Sequence, residues 1–85
     1  MRQFKWIEWN LLKIEAHALS SDDVEGAFDR VHSLRERQDG SYEMYAETPG
    51  GRRIWVIWRY DEDEGQIPDI FGDLTPPPIF VITAY

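Results

Sequence analysis

The sequence predicts a single α+β domain in the order β-α-α-β-β-β-β: an antiparallel sheet with two short helices packed on one of its faces. Three observations carry this expectation. The apolar period is helical from residue 10 to residue 31 and two-fold after it. Asp39-Gly40 and "PGG" (49–51) punctuate that two-fold stretch as tight turns. The closing segment "IFVITAY" is apolar almost throughout and rich in β-branched residues, as a buried strand would be.

Residues 4–9 alternate roughly, with Phe4, Trp6 and Glu8 on one side, and read as a first strand. Asn10 then opens a helix whose buried stripe is Leu11, Ile14 and Ala18. Lys13 and His17 lie four apart on one flank of that helix, off the stripe. A second helix follows a Ser20 N-cap, with Asp22 and Asp23 in the first turn and Asp23 completing a capping box. Leu19 and Val24 form the apolar staple, and Val24, Ala27, Phe28 and Val31 form the core stripe. Gly26 costs this helix about 1 kcal/mol against Ala.

From His32 the pattern is strand-like. "HSLRERQ" and "SYEMYAET" flank the Asp39-Gly40 turn, with Tyr42, Met44 and Ala46 on one side. "RRIWVIWRY" is apolar on both sides, as a central strand would be. Residues 61–78 are an acidic, proline-rich loop, because proline removes ladder donors and fixes φ.

Eighty-five residues make one domain (1–85), and a chain of that size buries about two-thirds of its unfolded surface. Four Trp, four Tyr and four Phe supply the large side chains such a core needs. Without cysteine there are no disulfides and no cysteine–zinc sites, and the expected compartment is reducing. Lys5 and Glu8 interrupt any leader-like apolar run. The seven-residue "IFVITAY" falls far short of the ~20 residues that cross a bilayer. A soluble cytoplasmic domain with no membrane contact is therefore expected.

The net charge of −7 weighs against a polyanionic partner, but its distribution matters more. Residues 1–59 hold all nine Lys and Arg beside ten acids, a net of −1; residues 60–85 hold six acids and no base. A near-neutral body can still present a basic face. His17 and His32 have no HxxE or HxxxH partner, so neither a metal nor a cofactor is expected.

Taken in order, Trp6, Asn10, Lys13-Ile14, His17, Leu19-Ser20, Asp22-Asp23-Val24-Glu25 and Phe28, then a hairpin, "GRRIWVIW" (51–58) and "VITA" (81–84), resemble the BrnT family. Its members are small type II toxins with a RelE-like ribonuclease fold, neutralised by an antitoxin encoded alongside. The resemblance implies metal-free RNA cleavage in which the substrate 2′-hydroxyl attacks the adjacent phosphate. Such cleavage needs a base, cationic stabilisation of the phosphate and an acid for the leaving oxygen. DNA, lacking that hydroxyl, is excluded.

By position, the resemblance assigns Lys13, His17 and Arg52 to catalysis and places Arg35 and Arg37 in a strand that often bears basic residues, expected to contact RNA; Arg59 is expected to join them where these cations converge into a phosphate cradle. Where relatives carry Arg and a basic helical tail, this chain carries Tyr85, which takes the RNA-contact place. Each assignment has a plainer alternative. His17 would equally bond a backbone carbonyl at the helix end. Arg35 and Arg37, alternating with Glu36, would equally be a solvated hairpin. Arg59 would stack on an aromatic or pair with an acid.

Tyr42, Tyr45, Trp55, Trp58 and Tyr85 are expected mostly in the core, with one free to stack on a base. Within the acidic loop, Ile70, Phe71 and Leu74 are candidate anchors for a small antitoxin-like protein. The alternative function is an inactive, acidic protein-interaction module of the same fold. An exposed sheet edge would also admit a homodimer, which no residue pattern requires.

Overall fold

A computed structural model describes residues 2–61 and 77–85, and the anchors Ile70, Phe71 and Leu74 lie outside the described residues. It is an α+β domain of two helices and a five-stranded sheet, in the order β1 (Phe4–Lys5), α1 (Glu8–Glu15), α2 (Ser21–Ala27), β2 (Val31–Glu36), β3 (Tyr42–Glu47), β4 (Arg53–Tyr60) and β5 (Ile79–Ala84). The spatial order is β1-β5-β4-β3-β2. The sheet is mixed rather than wholly antiparallel, since β1 runs parallel to β5. That pairing joins remote parts of the chain, so no turn between them announces its direction.

The first strand is shorter than the alternation suggests, and the helix starts earlier. Asn10 explains both. It is fully buried, three residues inside α1, where its Oδ1 accepts from Ile7 N–H at 2.7 Å and its Nδ2 donates to the Lys5 carbonyl at 3.0 Å. One side chain thus satisfies a backbone donor at the helix start and stops the strand before it. Trp6 leaves the strand pattern to donate its indole N–H to Glu25 of α2 at 2.7 Å.

α1 ends in a Schellman-type turn. Leu19 N–H donates to Ile14 O at 3.0 Å and Ala18 N–H to Glu15 O at 2.9 Å, with Ala18 left-handed at φ 58°. The expected stripe residue Ala18 is therefore exposed at the turn, and Leu19 enters the core in its place. The α2 cap matches its sequence signal: Asp23 N–H donates to Ser20 Oγ at 3.1 Å and Ser20 N–H to Asp23 Oδ2 at 3.0 Å. Val24, Ala27 and Phe28 are buried, whereas Val31 opens β2 and stays exposed.

Both hairpin turns use one device. Gly40 N–H donates to Arg37 O at 3.1 Å, and Gly51 N–H to Thr48 O at 2.9 Å. Each turn then closes through a left-handed glycine, with φ 86° at Gly40 and 93° at Gly51. The second hairpin docks on α2 at Gly26. A Cβ there would collide with the Pro49 ring, so the glycine that weakens the helix admits the hairpin.

Ile14, Leu19, Val24, Ala27 and Phe28 of the helical half meet Met44, Ala46, Ile54, Val56, Trp58, Ile79, Val81 and Ala84 of the sheet. The opposite face of the sheet, which bears Tyr45, Trp55 and Arg59, is turned away from this core. At the edge, every residue of β2 is exposed. Among the described residues, no helix is long and apolar enough to cross a membrane.

Candidate functional site

The outward position of Tyr85 comes from a bulge. Trp58 pairs with Val81 but Ile57 pairs with Thr83, leaving Ile82 as an extra residue. Val81 and Ala84 can then both face the core, and Tyr85 turns to the open face. There Trp55 and Tyr85 exchange two backbone hydrogen bonds, at 2.8 and 2.9 Å. The ring of His17 lies 6.0 Å from that of Tyr85.

Arg52 reaches the same corner. It follows the left-handed Gly51, its N–H donates to Thr48 Oγ1 at 3.0 Å, and its Nη1 donates to the Ala18 carbonyl at 3.3 Å. Ala18 is the residue after His17. The end of α1, the start of β4 and the end of β5 therefore bring an imidazole, a guanidinium and a phenol together. Both His17 and Tyr85 are exposed. Among the described residues, no carboxylate pairs with Arg52, so its charge is bound to a neutral carbonyl and remains uncompensated.

Lys13 lies one turn before His17. Its ammonium sits 4.3 Å from the centroid of Trp9, which stacks on Phe80 at 5.9 Å. Trp9, Lys13 and His17 follow one another at intervals of four along the flank of α1 that overlooks the open face. Trp9 and Phe80 are the site-side residues that sequence reasoning missed. The i,i+4 spacing of Trp9 and Lys13 was their only local signal.

The remaining nominated cations do not join this corner. Arg35, on the edge strand, pairs with Glu43 at 3.4 Å. Arg59 stands over the ring of Phe80 at 4.9 Å and lies 3.9 Å from Asp61, so its two plainer alternatives are both realised. Arg37 belongs to the β2–β3 turn, where its N–H donates to Ser41 O at 2.7 Å. In that turn the Ser41 hydroxyl and then the Ser41 N–H donate to Asp39, and Arg37 adds its charge; together they hold the Asp39 carboxyl below its usual range.

Of the aromatics expected in the core, Tyr42 and Trp58 do pack there, stacked at 4.6 Å. Tyr45, Trp55 and Tyr85 sit on the open face instead. Among the described residues, no three His, Asp or Glu groups are arranged to hold a metal ion.

The corner offers a group that can accept a proton, one guanidinium beside it and a hydroxyl, all open to solvent, with Lys13 one turn back over Trp9. That set can bind an anion and move a proton beside it. No family model, curated protein or solved structure matches this chain.

Proposed function

We propose that this chain is a divergent BrnT-like toxin with a RelE-like fold, which cleaves RNA without a metal and is neutralised by a small antitoxin-like partner. The observation that carries the reading is the Arg52–Ala18 bond, which fixes a guanidinium that no acid among the described residues pairs with next to the His17–Tyr85 contact. His17 takes the proton of the 2′-hydroxyl as its oxygen attacks phosphorus. Arg52 and Lys13 stabilise the charge that grows on the phosphate oxygens. The P–O5′ bond breaks, a 2′,3′-cyclic phosphate forms, and the departing 5′-oxygen receives a proton from the Tyr85 hydroxyl. Localisation in the cytoplasm, where RNA is available, accords with this reading.

The test is expression of the chain with and without Lys13→Ala plus His17→Ala, alongside cleavage of a single-stranded RNA in vitro. Growth inhibition by the parent and its loss in the double variant are expected. The rate of cutting should fall about 10²–10⁴-fold, the usual contribution of a positioned acid or base. Equal growth and equal cutting in both would sink the reading.

A second reading is an inactive interaction module of the same fold. It is favoured by the ion pairs Arg35–Glu43 and Arg59–Asp61, which neutralise two of the nominated RNA contacts. Under it, the partner would dock through Ile70, Phe71 and Leu74, and the parent chain would neither cut RNA nor slow growth.

A further inference from the structure

The cleavage chemistry uses only one end, His17 and Tyr85, of a row of rings on the open face of the sheet. Tyr45 of β3 and Trp55 of β4 are register partners, with rings 4.8 Å apart and tilted by 44°. Trp55 and Tyr85 are a hydrogen-bonded pair, so their side chains leave the sheet on the same face. His17 continues the row beyond Tyr85, at 6.0 Å. His32 continues it beyond Tyr45, at 6.1 Å. A second bulge makes this last contact. Val31 pairs with Ala46 and Ser33 with Tyr45, so His32 is the extra residue.

The row thus crosses β5, β4, β3 and β2, and among the described residues no helix covers it. Trp55 remains 36% exposed and Tyr85 50% exposed. The two faces of the sheet differ along the edge strand. The exposed apolar residues of β2 on the helix side, Val31 and Leu34, are aliphatic. The open-face row is built from rings with polar edges. Rings of that kind stack on unpaired bases with little regard to sequence, because every base has a π-face. Charge adds a direction along the row. Arg35 and Arg53 border it but are paired with Glu43 and Glu47, at 3.4 and 3.7 Å. Arg52, at the His17 end, rests on a carbonyl. An anionic backbone is drawn most strongly to that end.

We propose that Tyr85, Trp55 and Tyr45 form a platform for single-stranded RNA. Successive bases stack across the strands, and the backbone is delivered to Arg52 and His17 at the row's end. The identity of the polymer rests on the ribonuclease reading above; the single-stranded form and the path across the sheet are new.

The test is fluorescence anisotropy with a labelled ten-nucleotide RNA whose 2′-hydroxyls are all methylated, so that it binds without being cut. Trp55→Ala and Tyr45→Ala should each weaken binding about tenfold or more, as loss of one stacked base does. Trp55→Phe should restore most of the affinity, and Leu34→Ala, on the other face, should leave it unchanged. The same oligonucleotide in a duplex should bind at least about tenfold more weakly. Thermal melts identify any variant that fails to fold, and the Phe variant then decides.

Equal binding by both Ala variants, or equal binding of duplex and single strand, overturns the platform. The two readings fail separately. A parent that binds through Trp55 but never cuts unmodified RNA keeps the platform and loses the nuclease. A Trp55→Ala protein that cuts with unchanged KM keeps the nuclease and loses the platform.

Discussion

Two arginines, Arg52 beside α1 and Arg35 on β2, differ in what each is bonded to. Arg52 donates to the Ala18 carbonyl, a neutral acceptor that leaves its charge intact. Arg35 donates to the Glu43 carboxylate, which cancels it. In the sequence the two look alike, each a guanidinium at a strand. The difference teaches that a cation's use is set by its acceptor, and acceptors are chosen by the fold. A carbonyl at the end of a helix is electron-rich enough to hold an arginine in place while leaving it able to attract an anion.

The largest effect expected from this contrast is on catalysis. Arg52→Ala should lower the initial rate of RNA cutting about 10²–10³-fold, the usual loss when one charge-stabilising donor is removed. Arg35→Ala, assayed alongside, should change the rate less than about threefold, since an exposed ion pair contributes little. Similar losses in both variants would erase the distinction.

A smaller effect is expected on stability. Gly26→Ala should destabilise the protein by about 1–3 kcal/mol through collision with Pro49, reversing the gain of about 1 kcal/mol that helix propensity alone predicts. Because Pro49 belongs to the hairpin that carries Arg52, cutting should fall too, while the β2–β3 hairpin keeps its chemical shifts. Urea titration with NMR would check both halves. A stabilised Gly26→Ala protein would mean that the hairpin does not depend on that close approach.

The smallest effect concerns the carbonyl itself. Ala18→Gly relieves a left-handed alanine and should raise stability by about 0.5–1 kcal/mol, since glycine adopts that conformation without a Cβ clash. The Arg52 bond uses only backbone at residue 18 and should survive. Unchanged or lower stability in urea would show that α1 does not end in the turn described.

Local chemistry was legible where a residue acts on its own neighbours. Ser20 and Asp23 cap each other across three residues, and Asp39-Gly40 turns the chain within four, so the sequence contains the whole device. The start of α1 was misread for the opposite reason. Phe4, Trp6 and Glu8 imitate a strand, and only the burial of Asn10, a tertiary event, cuts it short. The parallel β1–β5 pairing was invisible because nothing local marks it.

The candidate corner was half legible. Lys13, His17 and Arg52 were identifiable as residues through a family resemblance. The placing of Arg52 and Tyr85 beside His17 required a left-handed alanine and an outward Tyr85 set by a bulge at Ile82. Neither leaves a mark in composition or period. Arg35, Arg37 and Arg59 were equally plausible in sequence, and were set apart by Glu43, a turn and Asp61, whose proximity only folding decides.

Because β5 lies between β1 and β4, residues near position 80 must be made before Phe4 and Lys5 acquire a neighbour or Tyr85 can approach His17. During translation, the emerging chain has a helical half and a three-stranded hairpin pair whose inner edge awaits its last member, a long-range closure that comes late. A ribosome making this chain would therefore not meet the assembled corner until that strand had left the exit tunnel. Whatever chemistry that corner performs is thereby tied to closure of the sheet by β5.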